Sequence, residues 1–342
     1  MLTSLGYLLA SRDWYPDISL DGRTTGAVRF IDLDAPVPDA MEPIQSRVAL
    51  CIGVTSNPSD ARVYDAAQQL DLSITSAPVT DHAFKQVPDV SAAIELIADR
   101  ISMRPRSAMM LGTTLRQTTQ LQVSEGIAAE AAAYSTLLAG PEFAAWLLER
   151  GARRPSPASE ADRVGVSIDN SILEIRMTRR LRLNAIDGPM RAALVEAFDL
   201  AIADPSLDVR LTGEGPCFSN GGDLREFGTA LEPATAWAVR MTQHPGARLA
   251  QIADRVHVIM HGPCVGAGVE MPAFAHHITA DPATTFRLPE LEMGLIPGAG
   301  GCVSIPRRIG RWRTLWLLLS GHAASASEAL DMGLIDDISP VH

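Results

Sequence analysis

The stretch His261-Gly262-Pro263-Cys264-Val265-Gly266-Ala267-Gly268-Val269-Glu270 decides how the second half of this chain is read. Just before it, Val256 to Met260 (VHVIM) reads as a short buried strand. The strand feeds a glycine-rich turn, and the turn opens a helix. Such a junction brings free backbone N–H groups and the positive end of a helix dipole to one point.

Two further segments offer backbone of the same kind. Cys217-Phe218-Ser219-Asn220-Gly221-Gly222-Asp223-Leu224 holds two adjacent glycines, which let the chain turn sharply and point N–H groups outward. Phe286-Arg287-Leu288-Pro289-Glu290 is followed by a second glycine run, Gly294 to Gly301. Taken singly, each is a tight loop and nothing more. Gly298 to Gly301 is no phosphate loop, because the lysine such a loop needs is absent. No strand–GxGxxG–helix unit with an acid beyond it marks a dinucleotide site.

In combination and in this order, the segments resemble the enoyl-CoA hydratase/isomerase (crotonase) superfamily. The resemblance runs from about Val164 to Pro340. It includes Asn184-Ala185, FSNGGDL at 218–224, GPCVGAGVE at 262–270, LPELEMGLIPGAGG at 288–301 and SGHAASASEALDMGLIDDI at 320–338. It implies an α/β fold, a crotonase-like (ClpP/crotonase) core of β-β-α superhelical turns with a helical element for cover and oligomerisation.

The resemblance also implies site residues. The backbone N–H groups of Gly222 and Ala267 would form an oxyanion hole that polarises a thioester carbonyl and stabilises the enolate. Loss of one such donor costs about 10²–10³ in rate. The family usually has glycine at the second position, so the Ala267 methyl would crowd the thioester oxygen. Glu270 and Glu290 fall on the two glutamate positions of the hydratases. Hydration of a 2-enoyl thioester needs one group to deprotonate water near Cβ and another to donate a proton at Cα. Glu270 is assigned to water and Glu290 to the proton; the reverse split stays open. The coenzyme A contacts would be Arg182, Leu183, Ala185, Gly221, Asp223 and Leu224, with Arg179, Arg180 and Arg182 as a basic cluster for the phosphates.

The function implied is hydration or dehydration of an enoyl-CoA. Isomerisation or other CoA-thioester enolate chemistry is the alternative. A non-catalytic acyl-CoA-binding paralogue or assembly partner is the alternative of another class. Coenzyme A enters as part of the substrate, with no tightly bound cofactor and no metal. A homotrimer or a dimer of trimers is expected.

Other candidates carry less. His261 reads as a turn residue, His276-His277 as the chain entering a strand, and Ser219 stands in no GxSxG elbow. The cysteines Cys51, Cys217, Cys264 and Cys302 fit no zinc or haem spacing and read as small packing residues.

Ahead of the core lies a helical stretch. Asp89 to Ile101 has apolar residues at helical spacing behind a capping aspartate. Further helices are read at about Pro105 to Thr118, Ser124 to Ala139 and Glu142 to Arg150. These resemble the helices that normally follow a crotonase core, placed here in front of it. They would fold back on their own core or swap onto a neighbour's, with Phe143 and Trp146 lining the acyl site or packing between helices. Residues 155–163 read as a linker between this element (89–154) and the core (164–342). Residues 1–88 read as a small α/β extension, with strands at Ala27 to Leu33 and Arg47 to Thr55 and a helix from Ser59 to Leu70. The strand before the first glycine loop, Val209 to Gly213, is shorter than the family's by about two or three residues. At ~3.3 Å per residue this would shift Gly222 by several ångström.

Composition fits this reading. The 342 residues are 46% hydrophobic and 20% charged, as for a packed globular protein of about two domains. A net charge of −11, from 29 basic and 40 acidic residues, argues against nucleic acid. No apolar run reaches the ~20 residues of a membrane span, and the amino terminus lacks a signal peptide's basic region, so a cytoplasmic protein is expected.

Overall fold

Asn170 and Ser171 both take positive φ, 47° and 66°. That is the two-residue turn whose twist matches the strands it joins. It folds Val164–Asp169 against Ile172–Met177 as an antiparallel hairpin. In this computed structural model, which describes residues 2–11, 14–20, 22–36, 47–151, 162–230 and 232–341, the hairpin opens a six-stranded sheet. From Ile172–Met177 the sheet continues through Asp208–Gly213, Val256–Met260, His277–Ala280 and Asp337–Ile338, each parallel to its neighbour. Apolar side chains fall into register across it. Ile175, Leu211, Val258 and Ile278 form one row, and all four are buried. In Ile172–Met177, Asp208–Gly213 and Val256–Met260 the buried positions alternate with less buried ones, so this row is one packed face of the sheet.

At the carboxyl end of Val256–Met260 the chain crosses into a second, small sheet of Pro263–Val265, Thr285–Arg287 and Ala324–Ser325. The strand–turn–strand step therefore sits where open α/β sheets bind ligands. Gly301–Ser320 follows as the longest helix. The structure starts it at Gly301 and places a non-helical Gly310 (φ 78°, ψ 155°) at a kink inside it. Glycine and Pro306 hide the first half from a propensity argument.

The helical element comprises Val90–Met103, Pro105–Thr118, Val123–Leu138 and Pro141–Arg150. Asp89 caps the first, accepting from Ala92 N at 3.0 Å. The element packs on the core of its own chain. Pro105–Thr118 and Val123–Leu138 lie on Gly301–Ser320, and Val123–Leu138 also contacts Pro233–Thr242. Pro141–Arg150 approaches the core so closely that a Cβ at Gly294 would lie 2.6 Å from the Glu142 carbonyl carbon. The linker read at 155–163 falls mostly outside the described residues.

Residues ahead of the helices form a parallel five-stranded sheet in chain order: Thr3–Ser4, Val28–Asp32, Leu50–Val54, Leu72–Thr75 and Phe84–Gln86. The last two strands escaped the sequence reading because they are short and lack alternation. Ala61–Gln69 is the helix between, with Asp60 as its cap. One buried carboxylate ties the parts together. Asp71 meets Arg47 at 3.2 Å and Arg116 at 2.6 Å, and accepts from Cys51 N at 2.8 Å. Burial alone would raise its pKa, but the two arginines hold it below the ordinary carboxylate value.

Candidate active site

The first glycine loop docks directly on the strand–turn–helix junction. Val265 N donates to Ser219 O at 3.1 Å, and Phe218 N donates to His261 O at 2.8 Å. Gly221 takes φ 83°, and a Cβ there would lie 2.5 Å from Val265 O and 3.5 Å from Ala267 N. Only glycine lets the two segments meet so closely. Ile186 N donates to Gly221 O (2.7 Å), and Asp223 N donates to Ile186 O (2.9 Å). These bonds clamp the loop on either side of Gly222 and leave its own N–H out of the ladder. Among the described residues, neither Gly222 N nor Ala267 N has an acceptor. Both residues line one cavity of about 610 Å³.

The short strand does not pull this loop away. Asp208–Gly213 pairs with Ile172–Met177 over its whole length, and Gly213 sits so tightly that a Cβ would fall 2.5 Å from Phe218 O. The loop is anchored by its contacts with the turn at 261–267.

Three buried glutamates stand close together here, Glu270 and Glu290 on the cavity wall and Glu130 behind it. Glu270, in the helix Ala267–Glu270, is held by Ala299 N at 2.7 Å and Gly301 N at 3.1 Å. Glu290 enters from the opposite side. Its Oε1 would lie 2.6 Å from a Cβ on Gly266, and Glu270 Oε1 3.8 Å from the same point, so the two glutamates converge over that glycine. Glu290 Oε2 has no partner among the described residues. Glu130, from the helical element, accepts from Gly300 N and Cys302 N, each at 2.7 Å.

Burial raises the pKa of all three. For Glu270 the rise stops at about 7, because backbone N–H groups and Arg240 favour its charged form. For Glu290 burial and then the neighbouring Glu270 push the value well above the ordinary one. For Glu130 burial and then Glu270 act in the same direction against its two N–H donors.

The helical element closes the cavity. Tyr134, Leu138 and Trp146 line it, and Trp146 packs on Phe227 at 6.1 Å between ring centroids. Phe143 lies behind, stacked on Trp146 at 5.7 Å and fully buried. Of the two aromatics expected at an acyl site, Trp146 lines this cavity and Phe143 supports it from behind.

The residues expected to hold coenzyme A gather at a second cleft, of about 400 Å³, which shares Ala185, Asp223 and Leu224 with the first. Leu183 and Leu224 line it with exposed side chains, and Arg182 with a partly buried one. Gly221 lines the first cavity and not this cleft. Asp223 is different: burial would raise its pKa, but Arg225 and Arg179 drive it far below the ordinary carboxylate value. Arg179 corrects the expectation of a three-arginine phosphate cluster. It is buried, ion-paired to Asp223 (2.8 Å) and Asp187 (3.1 Å), and donates to Ala185 O at 2.7 Å. A guanidinium so engaged, and only 4% exposed, shapes the loops and does not face the cleft. Arg150 and Arg225 join Arg182 at the cleft instead.

His261 ties the turn to Gly215 O at 3.0 Å, and Ser219 Oγ donates to Asn184 O at 2.8 Å. His277 stands in a strand opposite His257. All four cysteines are buried and free. No cluster of metal-ligating side chains occurs among the described residues.

Glu130, Tyr134, Arg240 and His244 were missed by sequence reasoning. One signal was present for the first two. On Val123–Leu138 the buried positions include Gly126, Ile127, Glu130, Ala131, Tyr134 and Ser135. Glu130 and Tyr134 are thus polar groups on the apolar stripe of a helix. Arg240 and His244 carried no such mark.

A profile described as enoyl-CoA hydratase/isomerase matches residues 167–342. Among solved structures, the enoyl-CoA hydratase from Bacillus halodurans shares 23% identity and a TM-score of 0.50, over 53% of this chain and 74% of that one. That from Thermoplasma volcanium shares 28% identity with a TM-score of 0.49, over 52% of this chain and 72% of the other. The enzyme from Bacillus anthracis shares 27% with a TM-score of 0.49, over 53% and 71%. No helix among the described residues is long and apolar enough to cross a membrane.

Proposed function

The chain belongs to the enoyl-CoA hydratase/isomerase family, and from that membership we propose that it hydrates an enoyl-CoA thioester or dehydrates the hydroxyacyl product. The observation that carries this reading is the convergence of Glu270 and Glu290 over Gly266, in the cavity that also receives the free N–H groups of Gly222 and Ala267.

The roles follow from the environments. Glu270 has a pKa near 7 and so offers a substantial carboxylate fraction at neutral pH. It takes a proton from the water that attacks Cβ. Electrons move onto the thioester oxygen, where Gly222 N–H and Ala267 N–H stabilise the enolate. Glu290, held protonated and with a free Oε2, delivers its proton to Cα as the carbonyl re-forms. Arg182, Leu183, Ala185 and Leu224 hold the coenzyme A at the second cleft, with Gly221 in the adjoining cavity, and Asp223 with Arg179 sets the shape of the loop that does so. The chemistry needs no group beyond these, the substrate and water.

The test is hydration of crotonyl-CoA by the full chain and by Glu290→Gln. Turnover by the wild type and a fall of about 10²–10⁴ in the variant, with CoA-ester binding kept, is the expected result. Tight binding of CoA esters without turnover of any enoyl-CoA would instead mark a non-catalytic acyl-CoA-binding protein.

A further inference from the structure

The far wall of the cavity carries polar groups that the hydration chemistry does not use. Arg240, near the end of the helix Pro233–Thr242, lies over the Tyr134 ring at 3.9 Å. One of its nitrogens donates to Ala236 O at 3.2 Å. Its Nε is buried without an acceptor, and among the described residues it makes no ion pair. Four residues on stands His244, 5% exposed and also on the cavity wall. Its Nδ1 accepts the N–H of Ala247 at 3.0 Å, so in the neutral ring the proton sits on Nε2. Burial, then the charge of Arg240, lowers the imidazole's pKa to about 4 and keeps the ring neutral. That Nε2 is buried and has no partner among the described residues.

A buried donor left unpaired is costly, and a guanidinium without a counter-ion more so. Two such donors side by side on one wall of the cavity call for an acceptor that arrives with the ligand. Water would serve one donor. The positive charge of Arg240, poised beside a neutral N–H donor, favours an anion. Glu290 and Glu130 are driven toward their neutral forms; Glu270 feels the charge of Arg240 but is tied to Ala299 N and Gly301 N and makes no ion pair with it among the described residues.

We propose that the acyl group bound in this cavity carries a carboxylate away from the thioester, held by the Arg240 guanidinium and the His244 Nε2–H. The proposal deepens the acyl-CoA reading above and rests on it. It makes Arg240 and His244 specificity residues.

The experiment compares equilibrium binding of two saturated probes, glutaryl-CoA and butyryl-CoA, to the full chain by calorimetry. They differ by one distal carboxylate and require no turnover. The wild type should bind glutaryl-CoA about tenfold or more tighter, as for hydrogen bonds to a charged partner. Arg240→Met should bring the ratio to about one, Arg240→Lys should retain a preference, and His244→Phe should reduce it severalfold. Equal affinity of the wild type for the two probes overturns the proposal without touching the acyl-CoA reading. So does a wild-type ratio that Arg240→Met leaves intact. If neither probe binds, it is the acyl-CoA reading that fails, and this proposal fails with it.

Discussion

Glu130 and Glu270 hold one turn from opposite sides. Glu270 takes the N–H groups of Ala299 and Gly301, and Glu130 takes those of Gly300 and Cys302. Alternate amides of one short run thus point to alternate carboxyls. One carboxyl belongs to the core and the other to the helices that precede it, 140 residues earlier in the chain. The turn is also the start of the helix Gly301–Ser320, so both carboxyls lie at the positive end of its dipole.

Glu130→Gln keeps the shape but replaces one acceptor oxygen with a donor amide. One buried N–H loses its partner, at a cost of about 1–3 kcal/mol. The clamp on Glu270 loosens with it. Thermal unfolding should show the loss of stability, and kcat should fall with KM nearly unchanged.

The three carboxyls make a pH dependence with a definite sign. Glu270 must be ionised to take a proton, so kcat/KM should fall below a midpoint near 7. Glu290 must stay protonated, so an alkaline limb should follow at higher pH. Stability runs the other way. A carboxyl with a raised native pKa binds more protons folded than unfolded between its ordinary value of 4.5 and its native one, so for Glu270 stability falls as pH rises from 4.5 through about 7. Denaturant melts at pH 5 and pH 8 check this, and Glu270→Gln should flatten the difference.

Gly266→Ala should damage the site directly. The residue has φ 50°, and its new Cβ would stand 2.6 Å from Glu290 Oε1. Backbone strain of about 1–3 kcal/mol adds to a displaced glutamate. Hydration activity should fall on the order of 10²-fold, the usual consequence of moving a catalytic group by about 1 Å.

Asp71→Asn should loosen the joint between the front of the chain and its core. It leaves Arg47 and Arg116 buried around a neutral amide, which typically costs about 3–5 kcal/mol. Because Asp71 titrates below its ordinary value, its contribution is present above that value and is lost as pH falls. The variant should therefore lose most at neutral pH and show a flatter acid limb in urea melts.

A chain beginning at Asp162 lacks Glu130, Tyr134 and Trp146. The N–H groups of Gly300 and Cys302 then lose their acceptor, and the apolar faces of Gly301–Ser320 are uncovered. Size-exclusion chromatography should show aggregation, and the hydration assay should show no activity.

Much of the fold was legible because local rules and global structure agree. Val256 to Met260 alternates into a buried row, Asp89 caps the helix it precedes, and glycines occupy the positions where Gly221 and Gly266 need positive φ or close approach. The order of such segments was enough to place Glu270, Glu290, Gly222 and Ala267 on the wall of one cavity. These features are local, and a side chain's type or a backbone's freedom can be read without knowing its neighbours. Tertiary structure alone decided the rest. It turned Arg179 from a phosphate ligand into a buried strut, brought Glu130 across to share a turn with Glu270, and left Arg240 Nε and His244 Nε2 without partners among the described residues. Charge and burial at those positions depend on residues far away in the chain, and a sequence carries no local signature of which distant partner will arrive.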